Sequence, residues 1–349
     1  MDSKPKMTSK ERVEKAVLFE RPDIVPVDYW ILPAVYLKYG ERFFALLNEY
    51  PKDFPDVLDF DKDNLLPPSH RKGEYTDGYG CVWRQEHDGF LGQVVKHPLE
   101  ELSAVASYRF PAPDERGGEV TLLQIRNIVS KVKHLNKFVC VDSIRTFERM
   151  HFLRGMENVM LDLAYQREEF FALLEKTVEW NIAHIRLVLE DMKDGVDGIW
   201  FSDDWGSQRS LLINPAAWRK IFKPRYKKMF DAVKEHGKFV FFHSDGYIMD
   251  IIGDLIEIGV DTLNCQILLN GARELAERFG GKVTFHTDLD RQNILPFGTK
   301  KDIEDHVRDA VGNLGGFGGG LILCAELGSD MPFGNIETLV KEFHRARGC

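Results

Sequence analysis

Long hydrophobic runs are missing from this sequence of 349 residues. No segment approaches the roughly 18 consecutive apolar residues that a membrane-spanning helix requires. Residues 1–10 are polar and contain no apolar core of the kind found in a secretory signal. Cysteine is scarce too: the five cysteines are scattered and form no Cys-x-x-Cys pair, which favours reduced thiols over a disulfide framework. We therefore expect a cytoplasmic protein with no membrane partner.

Clusters of basic residues and nucleotide-binding motifs are also absent. The formal net charge is −9, which argues against a nucleic-acid partner. Neither G-x-G-x-x-G nor G-x-x-x-x-G-K-[ST] occurs, so a nucleotide phosphate site has no direct support. The composition, with 44% hydrophobic and 29% charged residues, is that of an ordinary globular protein with a large core. The length suits one large α/β barrel or two ordinary domains.

One apolar stretch ends abruptly in polar residues. Residues 239–242 read Phe-Val-Phe-Phe, which is typical of a strand buried on both faces. His243, Ser244, Asp245 and Gly246 follow directly. In α/β barrels the chemistry lies at the carboxyl ends of the parallel strands. His243 and Asp245 are therefore candidates for a site at a barrel mouth.

The same pattern recurs along the chain. Short apolar segments end in Asp, His, Cys, Asn, Gln or Glu, and most of them are followed by a helical pattern. The eight predicted strands are residues 24–27, 57–60, 138–141, 197–201, 239–242, 260–263, 282–285 and 321–323. Eight such units predict a single (β/α)₈ TIM barrel over residues 1–349. An open doubly wound sheet is the less favoured alternative.

Residues 62–137 are predicted to be an irregular insertion between the second and third strands. Within it, residues 74–95 alternate aromatic, glycine and β-branched residues, which indicates a β-hairpin with a turn near residues 87–89. The aromatic side chains of this hairpin are candidates for a wall against a planar ligand, and Tyr79 is the one we assign to substrate binding. Ordinary packing of the hairpin on the barrel is the competing interpretation.

Four residues are candidate metal ligands. Imidazole is the commonest metal ligand, so His243 comes first, with Asp245 two residues further on. Cys324 and Glu326 follow the last predicted strand and could complete a tetrahedral zinc site that keeps one position open. The alternatives are a hydrogen-bonded rim histidine, a helix-capping aspartate and a buried cysteine that acts as a small hydrophobe.

Other strand ends supply candidate acid, base and substrate-binding groups. Asp203 and Asp204 are paired carboxylates that can raise one another's pKa and act as general acid or base, together with His243. The alternative is that one aspartate caps a loop while the other pairs with Arg209. The remaining candidates for substrate contact are Trp205, Gln266, His286 and Asp288.

Several stretches together resemble the uroporphyrinogen decarboxylase superfamily, which includes cobalamin-linked methyltransferases. They include TSKERVEKAVLFERPDIVPV, YTDGYGCVW, TFHTDLDRQNILPFGTKKDIEDHV and GGLILCAELGSDMPFGNIETLVKEF. The similarity extends over nearly the whole chain. It implies a (β/α)₈ barrel with its active site at the carboxyl ends of the strands.

The details favour the methyltransferase branch. Decarboxylases of the superfamily are similar in having an arginine-rich segment after the first strand, and this chain has DYWILPAVYLKYG there, with no arginine. Strand ends rich in Asp and Glu would also serve a polycarboxylate substrate poorly. The methyltransferases are similar in having a His-x-Cys and a later third zinc ligand. His243 matches the histidine, Asp245 stands at the cysteine, and Cys324 and Glu326 lie near the third ligand.

The resemblance implies a methyltransferase that moves a methyl group to or from a corrinoid, with a metal, zinc being expected, that activates the substrate. The corrinoid is expected on a separate protein, because this chain has no Asp-x-His-x-x-Gly stretch. The partners expected are that protein or a small methyl donor or acceptor, and a homodimer is a further expectation. Two alternatives stay open: a metal-free decarboxylase with Asp203 or Asp204 as proton donor, and a non-catalytic barrel that binds a tetrapyrrole.

Overall fold

The computed structural model describes residues 6–55, 66, 68–114 and 122–348. Strands and helices alternate along most of this part of the chain. The strands are β1 Val27–Ile31, β2 Gly73–Thr76, β3 Val82–Gln85, β4 Gln93–Lys96, β5 Cys140–Ile144, β6 Gly198–Ser202, β7 Phe239–Ser244, β8 Thr262–Gln266, β9 Thr284–Asp288 and β10 Leu321–Leu327.

The helices of the described residues mostly lie between the barrel strands. They are α1 Ser9–Val17, α2 Pro33–Glu49, α3 Leu122–Val132, α4 Phe147–Arg154, α5 Met156–Tyr165, α6 Glu168–Asp191, α7 Pro215–Ile221, α8 Lys223–Lys234, α9 Ile252–Glu257, α10 Ile267–Asn270, α11 Ala272–Phe279, α12 Ile294–Phe297, α13 Lys300–Leu314 and α14 Phe333–Ala346. In the part of the chain that the structure describes, no helix is both long and apolar enough to cross a bilayer.

Seven strands pair in parallel to form the barrel wall, in the order β1-β10-β9-β8-β7-β6-β5. The wall curls round, because Trp30 of β1 and Trp200 of β6 meet inside it with ring centroids 5.2 Å apart. Between the two edge strands lies Asp53, whose N–H donates to the Val27 carbonyl at 2.9 Å and whose carbonyl accepts from Phe138 N–H at 3.3 Å. The barrel predicted from the sequence is confirmed.

The predicted strand at residues 57–60 lies outside the described residues.

Helix α1 covers the amino-terminal end of the barrel. Val13 and Val17 are buried with Phe138 and Phe241 in the cluster that fills the lower barrel interior. The Ala16 carbonyl accepts a hydrogen bond from the Gly320 amide at 2.8 Å. The amino-terminal end of the barrel is therefore filled by apolar side chains, and the polar groups that could carry chemistry lie at the other end.

The barrel strands reach further than the apolar pattern predicted. β7 includes His243, and β9 runs to Asp288, where the prediction had ended at residue 285. β10 runs to Leu327, four residues beyond the predicted end at residue 323. The upper inward-facing positions of these strands are polar, because they line a cavity and not the dry core. A rule based on apolar residues therefore ends such strands too early.

The hairpin predicted for the insertion is confirmed in β3 and β4, and β2 pairs with β3 to extend it to a three-stranded antiparallel sheet, β2-β3-β4. The predicted turn at residues 87–89 does lie between β3 and β4, where Gly89 has φ +87°. A second reversal between β2 and β3 is held by Asp77, whose carboxylate accepts from the Tyr79 and Cys81 amides. The sequence analysis missed this turn because a short Asx-type loop leaves little apolar signal.

Candidate functional site

A cavity of about 510 Å³ opens at the carboxyl ends of the barrel strands. This volume is in the range of small-molecule sites. Its charged lining residues are Asp28, Lys52, Arg145, Glu148, Asp204, His243, Asp245, Arg291 and Glu326. Apolar walls come from Trp30, Ile31, Tyr36, Phe54, Pro55, Leu91 and Trp200. The carboxyl ends of the barrel strands therefore enclose a cavity, and Asp204, His243, Asp245 and Glu326 of the predicted site line it.

His243 lies near the end of β7 with one ring nitrogen turned into the wall and the other into the cavity. Its Nδ1 is 2.5 Å from Asn264 Oδ1. Its Nε2 is 3.5 Å from Asp204 Oδ1 and 3.7 Å from Asp245 Oδ1. Burial lowers the pKa of His243, but the two carboxylates outweigh burial and the pKa is raised. The ring edge also meets Trp30, with centroids 5.2 Å apart.

Two glycines bring Asp204 and Asp245 together. A Cβ on Gly246, which has φ +82°, would lie 2.2 Å from the Gly206 backbone, so only glycine allows the two loops to touch there. The Asp245 amide donates to Asp204 Oδ1 at 2.9 Å, and the Gly206 amide donates to the Asp245 carbonyl at 3.1 Å. Asp245 Oδ1, by contrast, is buried and has no hydrogen-bond partner.

Arg291 is a site residue that the sequence analysis missed. Its guanidinium donates to Asp245 Oδ2, and it lies 3.0 Å from Glu326 Oε2. Burial alone would lower the pKa of Arg291, but the Asp288, Glu326 and Asp245 carboxylates outweigh burial and raise the pKa. The guanidinium therefore stays charged. A signal was available, because so many carboxylates at strand ends require a cation nearby. Arg291 follows Asp290 directly after β9.

The four predicted metal ligands do not meet at one point. Cys324 is buried one layer deeper than Glu326, beside Asp28 and His286, and burial raises the pKa of its thiol well above the usual range. It precedes Glu326 by two residues on β10, which is about 7 Å along the strand. Glu326 pairs with Arg291. His243 and Asp245 do come together, and their third neighbour is Asp204.

Asp203 and Trp205 point away from the cavity. The Asp203 carboxylate accepts from the Thr146 and Glu148 amides at 2.9 and 2.8 Å, at the start of α4, and from the Tyr226 hydroxyl at 2.5 Å. Burial raises the pKa of Asp203 to about 6 against these hydrogen bonds. Trp205 donates to the Tyr226 hydroxyl at 3.0 Å. These two residues support the loop from which Asp204 reaches the cavity, which is the capping role considered for one of the paired aspartates.

The other four residues predicted to bind substrate, besides Trp205, lie at different depths. Tyr79 is buried away from the cavity under the Arg149 guanidinium, 3.8 Å from its ring. Gln266 accepts from the Gly246 amide at 3.1 Å and so holds the Asp245 loop. His286 is enclosed beneath the cavity. Asp288 is nearly buried, and burial raises its pKa to about 7 although Arg291 lowers it.

The cavity lining carries more negative than positive charge. Five carboxylates face three cations if His243 is neutral. Burial raises the pKa of Glu148 to about 7 and the Asp204 and Asp203 carboxylates add to the rise, although Arg145 lies 3.1 Å away and lowers the pKa. The Glu148 carboxyl is therefore partly protonated near neutral pH.

An α/β barrel whose acid, imidazole and guanidinium groups converge at the carboxyl ends of its strands has the architecture of the barrel enzymes. Residues 85–346 match the family described as Uroporphyrinogen decarboxylase (URO-D). The chain therefore belongs to the uroporphyrinogen decarboxylase (URO-D) family, which is a family of enzymes. The resemblance inferred from the sequence is confirmed.

Solved structures share the fold. A methyltransferase from Methanosarcina mazei is similar over 97% of this chain and 99% of its own length, with a TM-score of 0.72 and 17% identity. A B12-independent methionine synthase from a Shewanella species is more distant, with a TM-score of 0.46, 9% identity and coverage of 90% of this chain and 85% of that one. The comparison with curated proteins gave no match.

Proposed function

We propose that the chain is a methyltransferase that moves a methyl group between a small molecule and a corrinoid carried by a separate protein, with the help of a divalent metal, zinc in the first instance. The observation that carries the proposal is the cluster of Asp204, His243 and Asp245 inside the cavity, whose ligand atoms all lie within 4.8 Å of one another. Membership of the URO-D family and the likeness to the Methanosarcina mazei methyltransferase support it.

The spacing of the three residues fits a metal ion. Tetrahedral zinc with bonds of about 2.1 Å places its ligand atoms about 3.4 Å apart. Nε2 of His243 is 3.5 Å from Asp204 Oδ1 and 3.7 Å from Asp245 Oδ1. Asp245 Oδ1 is buried without a hydrogen-bond partner, which is costly unless a ligand takes it up. A dication would also balance the two surplus negative charges of the lining.

When bound, the metal would supply a Lewis acid for the heteroatom that gives up or receives the methyl group. A donor set of one nitrogen and two oxygens is harder than the thiolate set of the related methyltransferases and favours an oxygen heteroatom over sulfur. Arg291 keeps Asp245 oriented and holds Glu326 away from the metal ligands. Trp30 and Trp200 exclude water from one side of the cavity.

Metal analysis tests this assignment. The purified protein is expected to bind about one zinc ion per chain, and His243→Ala should lose it. His134→Ala is the matched control, since His134 is exposed and remote from the cavity lining. Methyl transfer is then followed by the visible spectrum of a methylated corrinoid protein. Equal zinc content in both variants would overturn the metal assignment.

A metal-free decarboxylase is the second candidate. Glu148 lines the cavity and burial raises its pKa to about 7, so it can hold a proton for release at neutral pH. Asp204 faces the same space, whereas Asp203 is enclosed by the start of α4. Carbon dioxide release from a small carboxylic acid, undiminished by a chelator, would favour this function over methyl transfer.

Two further expectations complete the proposal. A cytoplasmic location agrees with the free thiols of Cys81, Cys140, Cys265 and Cys324.

Binding of a tetrapyrrole without catalysis is the third candidate, and a spectral titration with a porphyrin separates it from the other two. Tight porphyrin binding without turnover of any methyl donor would favour it.

A further inference from the structure

A row of hydrogen-bonded side chains crosses the barrel interior beneath the cavity. It runs from His243 on β7 through Asn264 on β8 and His286 on β9 to Asp28 on β1. The first three are partners in register on adjacent strands, so they form one inward-facing layer of the barrel. Asn264 and His286 are completely enclosed. Neither takes part in the methyl-transfer proposal.

Backbone carbonyls fix the orientation of the Asn264 side chain. Its Nδ2 lies 2.9 Å from the His286 carbonyl and 3.1 Å from the Thr287 carbonyl. Carbonyl oxygens only accept, so the amide nitrogen must be on that side. Oδ1 must therefore face His243, where it is 2.5 Å from Nδ1. An amide oxygen cannot donate, so the hydrogen between them is carried by His243 Nδ1.

The same logic fixes His286. Its Nε2 faces the Asp28 carboxylate, which only accepts, so the neutral ring carries its hydrogen on Nε2, and its bare Nδ1 lies 3.0 Å from Asn264 Nδ2. That nitrogen donates to Asp28 Oδ2 at 3.2 Å. Asp28 is in turn held by Lys52, whose Nζ is 3.2 Å from Oδ1. Along the row from His243 to Asp28, each side chain therefore directs its N–H towards the next one.

We propose that Asn264 and His286 are positioning residues, which hold neutral His243 as the Nδ1–H tautomer with the Nε2 lone pair facing Asp204 and Asp245. Only that tautomer presents a ligand nitrogen to the cavity. The hydrogen-bond geometry itself is independent of the reaction, but its use as a metal ligand rests on the proposed function. Outer hydrogen bonds of this kind orient metal-binding histidines.

Nitrogen NMR of the wild-type protein tests the row without any variant of it. In protein labelled at histidine nitrogens and free of metal, the two nitrogens of a neutral ring give separate signals according to which carries hydrogen. At a pH high enough to deprotonate both rings, His243 should show Nδ1–H and a bare Nε2, and His286 the reverse. His243→Gln and His286→Gln serve to assign the signals. The opposite tautomer at either ring would overturn the proposal.

Substitution of Asn264 tests the consequence for metal binding. Asn264→Leu removes the acceptor and should weaken zinc binding by about 10- to 100-fold. Asn264→Asp keeps an acceptor towards His243 and should retain the Nδ1–H tautomer. Asn181→Leu is the matched control for loss of a buried amide, because Asn181 donates to the Arg145 carbonyl outside the row. Equal zinc affinity in Asn264→Leu and wild type would refute the positioning role.

The two measurements separate this inference from the proposed function. Correct tautomers together with an absence of methyl transfer would count against the methyltransferase alone, and the row would stand. Reversed tautomers would remove the positioning role even in an active methyltransferase.

Discussion

Adjacent residues of one acidic loop have unlike roles. Asp203 is enclosed and holds the start of α4, Asp204 faces the cavity, and Trp205 packs among helices. Successive side chains at a strand end point in opposite directions, so residue type alone does not assign the role. The pair Asp203-Asp204 is therefore one supporting and one cavity group, and not two interacting catalytic carboxylates.

Paired substitutions separate these roles. Asp203→Asn should lower the free energy of unfolding by about 1–3 kcal/mol, because the carboxylate accepts two amides and a hydroxyl in a buried place. Asp204→Asn should leave stability within about 0.5 kcal/mol, because its side chain is 41% exposed, and should weaken zinc binding. Urea unfolding and zinc titration measure the two effects. The reverse pattern would contradict the assignment.

Asp288 should make stability fall as the pH rises towards neutral. Burial raises its pKa from 3.8 to about 7 in the folded protein, so between those values the folded state binds a proton that the unfolded state has released. The contribution of Asp288 to the free energy of unfolding is then fully present below about pH 4 and is lost as the pH rises through about 7.

Asp288→Asn removes this penalty. Above pH 7 the variant should exceed wild type by a few kcal/mol, on the order of 1.4 kcal/mol per unit of displaced pKa. Below about pH 4 the two should be alike. The measurement is urea unfolding over a pH series, with Asp194→Asn at an exposed position as control. Parallel curves for Asp288→Asn and wild type would contradict the raised pKa.

At the scale of the element, the helices were easier to predict than the strands. Apolar residues recur at helical spacing along α6, where Phe170, Leu174, Val178, Ile185 and Leu189 form one buried face. Helices α4 and α5 are separated at Gly155, which has φ +82°. A helix keeps the same spacing of apolar residues along its whole length. A barrel strand, by contrast, passes from an apolar environment into a polar one part-way along. The apolar signal therefore marks only the lower half of each strand.

The contact between the β6 and β7 loops can be tested at Gly246. Gly246→Ala combines a left-handed backbone with a Cβ 2.2 Å from the Gly206 backbone, so it should destabilise the protein by more than about 2 kcal/mol and weaken zinc binding. Gly237→Ala is the matched control, since Gly237 has φ +68° and nothing within 4 Å. It should cost only about 1 kcal/mol. Equal losses in the two variants would show that the loop contact is unimportant.

At the scale of the molecule, closure of the barrel depends on Asp53. Its carboxylate accepts from the Val27 amide at 2.9 Å and pairs with Arg12 and Arg347, each at 2.5 Å. It thereby joins α1, β1 and the residues after α14. Its backbone bridges β1 to Phe138. None of these partners is near it in sequence, so no local pattern indicates the role.

Asp53→Asn should therefore destabilise the whole barrel. Loss of the carboxylate leaves the nearly buried Arg347 guanidinium without its carboxylate partner and leaves Arg12 with Asp23 alone, which costs about 3–5 kcal/mol. Asp191→Asn is the control, because its pair with Arg126 is largely exposed and should be worth below about 1 kcal/mol. Thermal and urea unfolding measure both variants. If Asp53→Asn lowers the free energy of unfolding no more than Asp191→Asn does, barrel closure does not depend on the Asp53 carboxylate.

The homodimer remains a prediction of the sequence analysis. Several apolar side chains are well exposed, among them Leu268 and Phe297 near the barrel mouth. Light scattering on the purified protein would determine the mass. A mass close to one chain of 40.2 kDa would contradict the dimer.

The sequence by itself determined the alternation of strands and helices, the barrel, the family and the end of the barrel that carries polar groups. These follow from local periodicity and from motifs, which need no knowledge of distant residues. Only the tertiary structure decided which polar groups meet. It joined Asp204 to His243 and Asp245, placed Arg291 between Asp245 and Glu326, and enclosed Cys324 in a deeper layer. Those outcomes depend on strand register and loop contacts, which are set by pairing between residues far apart in the chain.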